Sequence, residues 1–430
     1  MSKFNRSQRS LLSVHMLKMV MDLFISTFLT SYILSQTPEN ILTKGLFNIG
    51  LFYVSWYFIY GVFEYICSIF VDRGNRVLFL RIGIVINTIL IVALVFWGKE
   101  ISNWIVLAGA ICGLIEAFYY SSYLIMRAEL SGGTSVKQYN MLATVFTNVI
   151  KVVVPIIMGY LIEASTLSSI AIYIVVISII QFIISLFIKE ESNVSSKFEF
   201  KKYINYLKTN KDVSNKLKWT YFSSIPSGFK QTYYVLVVVF TVYIFKKDSL
   251  LGIYTSIFSL VTMLCLVIYK LVDNNKKINK FIIYLFLGFM PVISTIVVTI
   301  KTNEVTLVIL NFLLTLSSYF SDYLGNLERD GVIKSIHKNE YISEHQVLSE
   351  LIQVVGRLIA FSTFMLVGLS ANFTLFLIML IVFILCNPIK FLILYKQRTI
   401  RKQYELNENA VNTVDDKVEI VIETQNSIKN

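Results

Sequence analysis

The chain has 430 residues, of which 55% are hydrophobic and only 15% charged, and its formal net charge is +12. Soluble proteins carry about 25% charged residues, so this chain has too few polar side chains to cover a water-facing surface. The composition excludes an ordinary soluble domain and predicts an all-α membrane protein. The positions of the basic residues, given below, exclude nucleic acid as the reason for the positive charge.

Hydrophobic runs long enough to cross a bilayer recur along the whole chain. A membrane-spanning helix needs about 20 apolar residues. Twelve segments qualify, at residues 10–36, 42–71, 78–98, 102–127, 138–163, 166–188, 218–245, 249–270, 280–300, 305–327, 343–368 and 372–395. The first is expected to remain as a span rather than be cleaved as a signal peptide, because Lys18 and Asp22 interrupt its apolar run.

The basic residues are concentrated on one side of the predicted spans. Of the 39 Lys and Arg residues, 30 fall in the termini and in the loops on the same side as the termini, whereas 5 fall in the opposite loops. Because basic loops stay in the cytoplasm, we expect both termini to be cytoplasmic. The abundance of Ile, Lys, Asn and Tyr suggests a bacterium, and hence the cytoplasmic (plasma) membrane.

The polar segments divide the chain into four regions. We predict an N-terminal six-helix bundle at 1–188, a cytoplasmic central linker at 189–217, a C-terminal six-helix bundle at 218–395 and a cytoplasmic polar tail at 396–430. Apolar residues at 198–207 could place a short helix on the inner leaflet, and a solvated connector is the alternative. The tail is expected to be largely disordered.

The two bundles contain short sequence repeats. Residues 71–76 read VDRGNR, and 272–277 read VDNNKK. Similarly, 119–124 read YYSSYL and 319–324 read YFSDYL. Two repeats at nearly one offset, at matching positions in the spans, indicate duplicated halves with the same orientation. Such halves are related by a pseudo-two-fold axis along the membrane normal.

Twelve spans in two sixes, a basic central loop and the turn at 68–77 together resemble the major facilitator superfamily (MFS). That family's cytoplasmic signature, G-x-L-x-D-R-x-G-R-[KR], is matched here by Asp72, Arg73 and Arg76. The resemblance covers residues 10–395 and implies the MFS fold and alternating access. It also implies that the three matched residues, with Asp273 in the second half, form a conformational latch at the ends of the helices.

Charged residues inside the spans follow a pattern of threes. Spans three, six, nine and twelve contain no charge at 82–98, 164–188, 281–300 and 371–389. An ionisable group in hydrocarbon costs several kcal/mol unless it faces water or a partner. The charge-free spans are therefore expected at the lipid-facing periphery, and the first span of each three near the centre, as in the MFS arrangement.

The remaining spans supply the candidate functional residues. We assign eight polar residues within these spans to a proton and substrate site: Asp22, Glu64, Glu116, Tyr120, Lys151, Lys230, Asp322 and Arg357. Asp22 and Glu116 are the expected proton-carrying carboxylates, and Lys151 and Arg357 their exchange partners or anchors for an anionic group. Fixed ion pairs that only hold helices together are the alternative for each residue.

Enzyme chemistry has little support in the sequence. The four cysteines lie apart in apolar runs and the three histidines are scattered, so we expect no catalytic residues, no metal and no cofactor. A nucleotide-binding G-x-x-x-x-G-K-[ST] loop is absent from the sequence.

The sequence thus predicts a monomeric secondary transporter, an antiporter that exports an amphipathic small molecule in exchange for protons. One alternative is an importer or flippase of an amphiphile such as a lipid or peptide, whose anionic head would meet Lys151, Lys230 and Arg357. Another is a membrane ligand sensor that binds without transporting.

Overall fold

The protein is described here from a computed structural model, which covers residues 4–36, 41–71, 75–130, 134–164, 167–189, 198–245, 253–254, 256–261, 263–265, 279–301, 303–337 and 341–428. Every element in these ranges is helical. The first half contains α1 (Arg6–Leu23), α2 (Thr30–Ser35), α3 (Leu46–Val71), α4 (Arg76–Trp97), α5 (Ile105–Leu130), α6 (Thr134–Ala164) and α7 (Leu167–Ser185). After these come α8 (Phe200–Thr209), α9 (Lys211–Phe245), α10 (described at 253–265 with gaps), α11 (Lys280–Ile300), α12 (Glu304–His337), α13 (Ile342–Ser370) and α14 (Phe373–Ile428).

The helices agree with the predicted spans, since each of the twelve segments contains described helix. In lipid, every backbone amide must find its partner within the protein, which favours helix over open strands. Within the described part of the chain, seven helices are each long and apolar enough to cross a bilayer. A capping box, in which Asn5 and Gln8 exchange hydrogen bonds, starts α1. A π-helical turn, Phe24–Leu29, joins α1 to α2 within the first span.

The two halves show the same pattern of helix packing. In the first half, α1 packs on α7, and α4 packs on α5 and α7. In the second half, the helices at the same positions make the same contacts, because α9 packs on α14, and α11 packs on α12 and α14. This correspondence is what the short sequence repeats predict.

The four charge-free spans lie at the periphery, as predicted. Large apolar side chains are exposed along them, with examples on each: Ile89 and Phe96 on α4, Ile172 and Val176 on α7, Ile282 and Ile293 on α11, Ile378 and Val382 on α14. Exposed apolar stripes of this length are stable only against lipid. Spans three and nine therefore do not form the centre of the molecule.

The halves meet along α3 and α13, and also where α2 approaches α9. Glycines allow the first of these contacts to be close. A Cβ added at Gly50 would lie 2.6 Å from Met365 Cγ, and one added at Gly61 would lie 2.9 Å from Val354 Cγ1. The α3–α13 contact is consequently an interface between helix backbones with little room for larger side chains.

Helix α8 docks against the helix bundle. Tyr203 is fully buried, and its hydroxyl lies 2.6 Å from that of Tyr221 on α9 and 3.2 Å from Nδ1 of His345 on α13. The rings of Phe198 and Phe200 contact Tyr65 at the end of α3. The predicted short helix is confirmed at Phe200–Thr209, and Tyr203 anchors it to the bundle; its location at the inner leaflet stays a prediction. We call the end of the molecule where α8 lies the linker end, and the opposite end the far end.

The tail also differs from the prediction. Helix α14 continues beyond the twelfth span to Ile428, where a largely disordered segment was expected. Residues 400–428 contain neither Gly nor Pro, the two residues that interrupt helices most strongly. Low hydrophobicity predicted that this segment would not enter the core, but it did not exclude a helix extending from a membrane span.

Candidate functional site

The first group of polar residues lies on α1. Lys18 and Asp22 are one helical turn apart, and their side chains form an ion pair. Tyr120 on α5 donates its hydroxyl to Asp22 Oδ2 at 2.8 Å. The Lys18 ammonium is 2% exposed and lies 5.6 Å and 5.8 Å from the ring centroids of Tyr119 and Tyr120. Because Asp22 keeps 22% of its side chain exposed, the pair is open on its carboxylate side.

Glu116 on α5 forms the second group with Trp56 on α3. The indole Nε1–H of Trp56 donates to Glu116 Oε2 at 2.9 Å. Gly113, one turn before Glu116, lies directly against the backbone of α3 at Trp56, and a side chain there would clash. Glu116 also interacts electrostatically with Arg357 and Asp22. It therefore connects the α1 group to the second half of the protein.

The third group spans the contact between α3 and α13. The Arg357 guanidinium lies 4.7 Å from the ring centroid of Tyr57 and 5.8 Å from that of Tyr60. Arg357 Nη1 is 3.9 Å from Glu350 Oε2, and the Tyr60 hydroxyl donates to the same oxygen at 3.3 Å. A cation and a carboxylate of the second half are thus held by aromatic residues of the first half.

Stacked aromatic rings surround these charges. The rings of Tyr53 and Phe361 lie 4.4 Å apart at 14°, and those of Tyr53 and Trp56 lie 5.5 Å apart at 11°. The Tyr53 hydroxyl is 2.9 Å from Thr30 Oγ1, which fixes the ring at the junction with α2. These rings are buried against one another where the two halves meet.

Glu64 lies on α3, one turn beyond Tyr60. Its side chain is 2% exposed, and among the described residues Oε2 has no hydrogen-bond partner. Electrostatic interactions link it to Glu350, Glu116 and Arg357. We call the six charged residues of these groups the central charge cluster: Lys18, Asp22, Glu64, Glu116, Glu350 and Arg357.

The structure therefore brings together five of the eight predicted site residues: Asp22, Glu64, Glu116, Tyr120 and Arg357. Lys230 lies elsewhere, buried on α9, and donates from Nζ to the carbonyl of Ser318 at 2.9 Å. Lys151 is half-buried on α6 and belongs to no ion pair recorded for the described residues. The Asp322 side chain lies outside the described residues, although helix α12 is described around it.

Most of the predicted latch cannot be placed. Asp72, Arg73 and Asp273 lie outside the described residues. Arg76 is described, and it is buried at the start of α4 with Nε 3.4 Å from the Val71 carbonyl. This contact ties the ends of α3 and α4 together, and the latch itself stays a prediction.

Several residues of the site, including Lys18, Trp56, Tyr60 and Glu350, were not assigned from the sequence. Lys18 and Glu350 were visible as charges within spans, and Lys18 stands one helical turn before Asp22. Trp56 and Tyr60 carry a weaker signal, a four-residue spacing that leads to Glu64 and places all three on one face of α3. That spacing could have identified the polar face of the helix.

Comparisons with known proteins agree with this architecture. The family model of the Major Facilitator Superfamily matches residues 15–322. A structure of the E. coli fucose:proton symporter is similar in fold, with a TM-score of 0.57 and 14% sequence identity, over 92% of this chain and 98% of that one. A search of curated proteins returned no match. The predicted all-α MFS fold is confirmed, and the chain belongs to the Major Facilitator Superfamily of secondary transporters.

Proposed function

We propose that this transporter couples the export of an amphipathic small molecule to the entry of protons by alternating access. The observation that carries the proposal is the central charge cluster, which joins helices of both halves between lipid-facing spans. Ionisable groups inside a membrane protein are costly, and they commonly mark the pathways of protons, ions or substrates. The similarity in fold to a proton symporter is consistent with proton coupling but does not extend to the direction of transport.

Asp22 and Glu116 are the proposed proton carriers. Each carboxylate is partly exposed, and each accepts one hydrogen bond from an aromatic side chain that can stay in place when the carboxyl gains a proton. Protonation of Asp22 would release Lys18, and protonation of Glu116 would weaken its attraction to Arg357. Because Arg357 belongs to the other half, the second step changes the electrostatic energy between the halves.

The substrate class follows from the charge and shape of the site. The cluster contains four acidic and two basic side chains, so it stays negative with one acid protonated and attracts positive charge. The rings of Tyr53, Trp56 and Phe361 are buried against one another beside those acids, and separation of the halves would uncover their flat apolar faces. Ring faces next to carboxylates favour an amphipathic cation over an anion.

The test is transport into inverted membrane vesicles with an imposed proton gradient. The panel contains two lipophilic cations, tetraphenylphosphonium and ethidium, together with neutral and anionic compounds of similar size. We expect gradient-driven uptake of a cation by the native protein and at least a tenfold loss in Asp22→Asn and Glu116→Gln.

Glu100→Gln is the matched control, because Glu100 is an exposed acid at the far end of the first half. Full gradient-driven flux in both site variants would contradict the proton assignment. Flux of an anion in the opposite direction would favour the importer or flippase, and ligand binding without any flux would favour the sensor.

A further inference from the structure

The α3–α13 contact contains a carboxyl group, Glu64, that neither of the two proposed proton carriers accounts for. Glu64 is on the first half, and Glu350 and Arg357 face it from the second half. Gly61, between Tyr60 and Glu64, brings α3 close to α13 at Val354. The charges of Glu64 and Glu350 therefore affect how closely the two halves can approach.

Glu350 and Glu64 differ in their hydrogen-bond and ion-pair partners. Glu350 has a cation, Arg357, at 3.9 Å and a hydroxyl donor, Tyr60, at 3.3 Å. Glu64 is 2% exposed, and its Oε2 has neither kind of partner among the described residues. An ionised carboxylate without a donor in such a site carries a desolvation penalty of several kcal/mol.

Several other titratable groups interact electrostatically with Glu64. Among the described residues, the titratable groups that interact electrostatically with Glu64 are Tyr60 and Cys67 on its own helix, Glu116 on α5, and Glu350 with Arg357 on α13. The only cation in this set is Arg357, which is shared with two other acids. When like charges occupy one site, ionising all of them is costly, and Glu64 is an acid whose Oε2 has no donor among the described residues.

We propose that Glu64 binds an exchangeable proton that keeps the α3–α13 contact closed, and that releasing this proton separates the two helices at the linker end. On release, the carboxylic acid becomes a carboxylate and the proton passes to water that enters as the helices part. The inference rests on the proposed proton-coupled function, and it adds a third proton site that acts on the contact between the halves rather than on substrate.

The experiment measures the separation of the halves without substrate or gradient. Spin labels are attached at Leu78→Cys on α4 and Phe222→Cys on α9, two exposed positions near the linker end of opposite halves. The four native cysteines are replaced by Ala, and the distance distribution is recorded by pulsed electron resonance between pH 5 and pH 9.

We expect the long-distance population to grow as the pH rises. Glu64→Gln should hold the short distance at every pH, and Glu64→Asp should keep the response. Glu350→Gln removes the repelling charge and leaves Arg357 available to Glu64, so the midpoint should move to lower pH by about one unit, a tenfold weaker proton affinity. Glu100→Gln should behave as the parent protein does.

A parent protein with no response to pH would overturn the inference, as would Glu64→Gln with an unchanged response. An unchanged midpoint in Glu350→Gln would also contradict it, and this variant keeps Glu64 intact should the first one fail to fold. These outcomes are independent of the vesicle assay, so a failure of proton-driven flux and a failure of the Glu64 site are told apart.

Discussion

Substituting Tyr120 by Phe removes one hydroxyl from the site and leaves the ring in place. That hydroxyl donates to Asp22 Oδ2 at 2.8 Å. A hydrogen bond to a charged group contributes about 1.5–3 kcal/mol, and a tenfold change in rate corresponds to about 1.4 kcal/mol. Because the bond holds the Asp22 carboxyl in position, its loss should slow proton-driven flux. We expect initial flux at a fixed pH to fall at least tenfold.

Tyr119 supplies a matched control on the same turn of α5. Its ring also lies near the Lys18 ammonium, but its buried hydroxyl has no hydrogen-bond partner among the described residues. Tyr119→Phe should therefore leave flux near the native rate. The assay is initial flux in proteoliposomes with an imposed proton gradient. Equal losses in the two variants, or no loss in Tyr120→Phe, would refute the role given to the hydrogen bond.

Three further substitutions test other parts of the structure. Arg357→Lys keeps the charge but loses the planar stacking on Tyr57, and flux should fall about tenfold while melting temperature changes little. Gly61→Leu overpacks the contact with Val354 at a cost of about 1–3 kcal/mol, so flux should fall at least tenfold. Gly61→Ala should lose less flux, and equal losses of flux in the two variants would contradict the close contact. Burial raises the pKa of the Tyr203 hydroxyl and keeps it a hydrogen-bond donor, so Tyr203→Phe should lower the free energy of unfolding by about 1 kcal/mol in denaturant titrations. Flux should be preserved, because α8 lies outside the central charge cluster. A large loss of flux would give α8 a direct part in transport.

The sequence predicted the helices well, because membrane-spanning helices depend on hydropathy along the chain. Spans three and nine lack charge, and the structure places their apolar side chains on the outside. The short repeats also had a structural counterpart in the matching helix contacts of the two halves. The domain boundaries at 188, 217 and 395 stay predictions.

The pairing of charges was harder to predict, because it depends on how each helix is rotated about its axis. Lys151 was expected to exchange with Asp22 or Glu116 or to anchor an anionic group, whereas Lys18 pairs with Asp22 and Arg357 interacts with Glu116. The Lys18–Asp22 pair could be read from its four-residue spacing within one helix. The Tyr60–Glu350 bond joins residues 290 positions apart and carries no comparable signal. The location of α8 was likewise decided by contacts of Tyr203 with two distant helices.

Membrane placement leaves one prediction open. Both termini are expected in the cytoplasm, because the linker end carries most of the basic residues. Single cysteines introduced at Lys201 on α8 and at Lys301 after α11 would decide the orientation. In intact cells, a reagent that cannot cross the membrane should label only the cysteine at position 301; labelling of position 201 instead would reverse the orientation.

The most direct measurement of proton coupling compares two kinds of flux in Glu116→Gln. Gradient-driven transport needs a carboxyl that gains and loses a proton, whereas counterflow of labelled against unlabelled substrate needs only alternating access. We predict that the variant loses gradient-driven transport and keeps counterflow near the native rate. Gradient-driven transport that survives at the native rate would contradict the account.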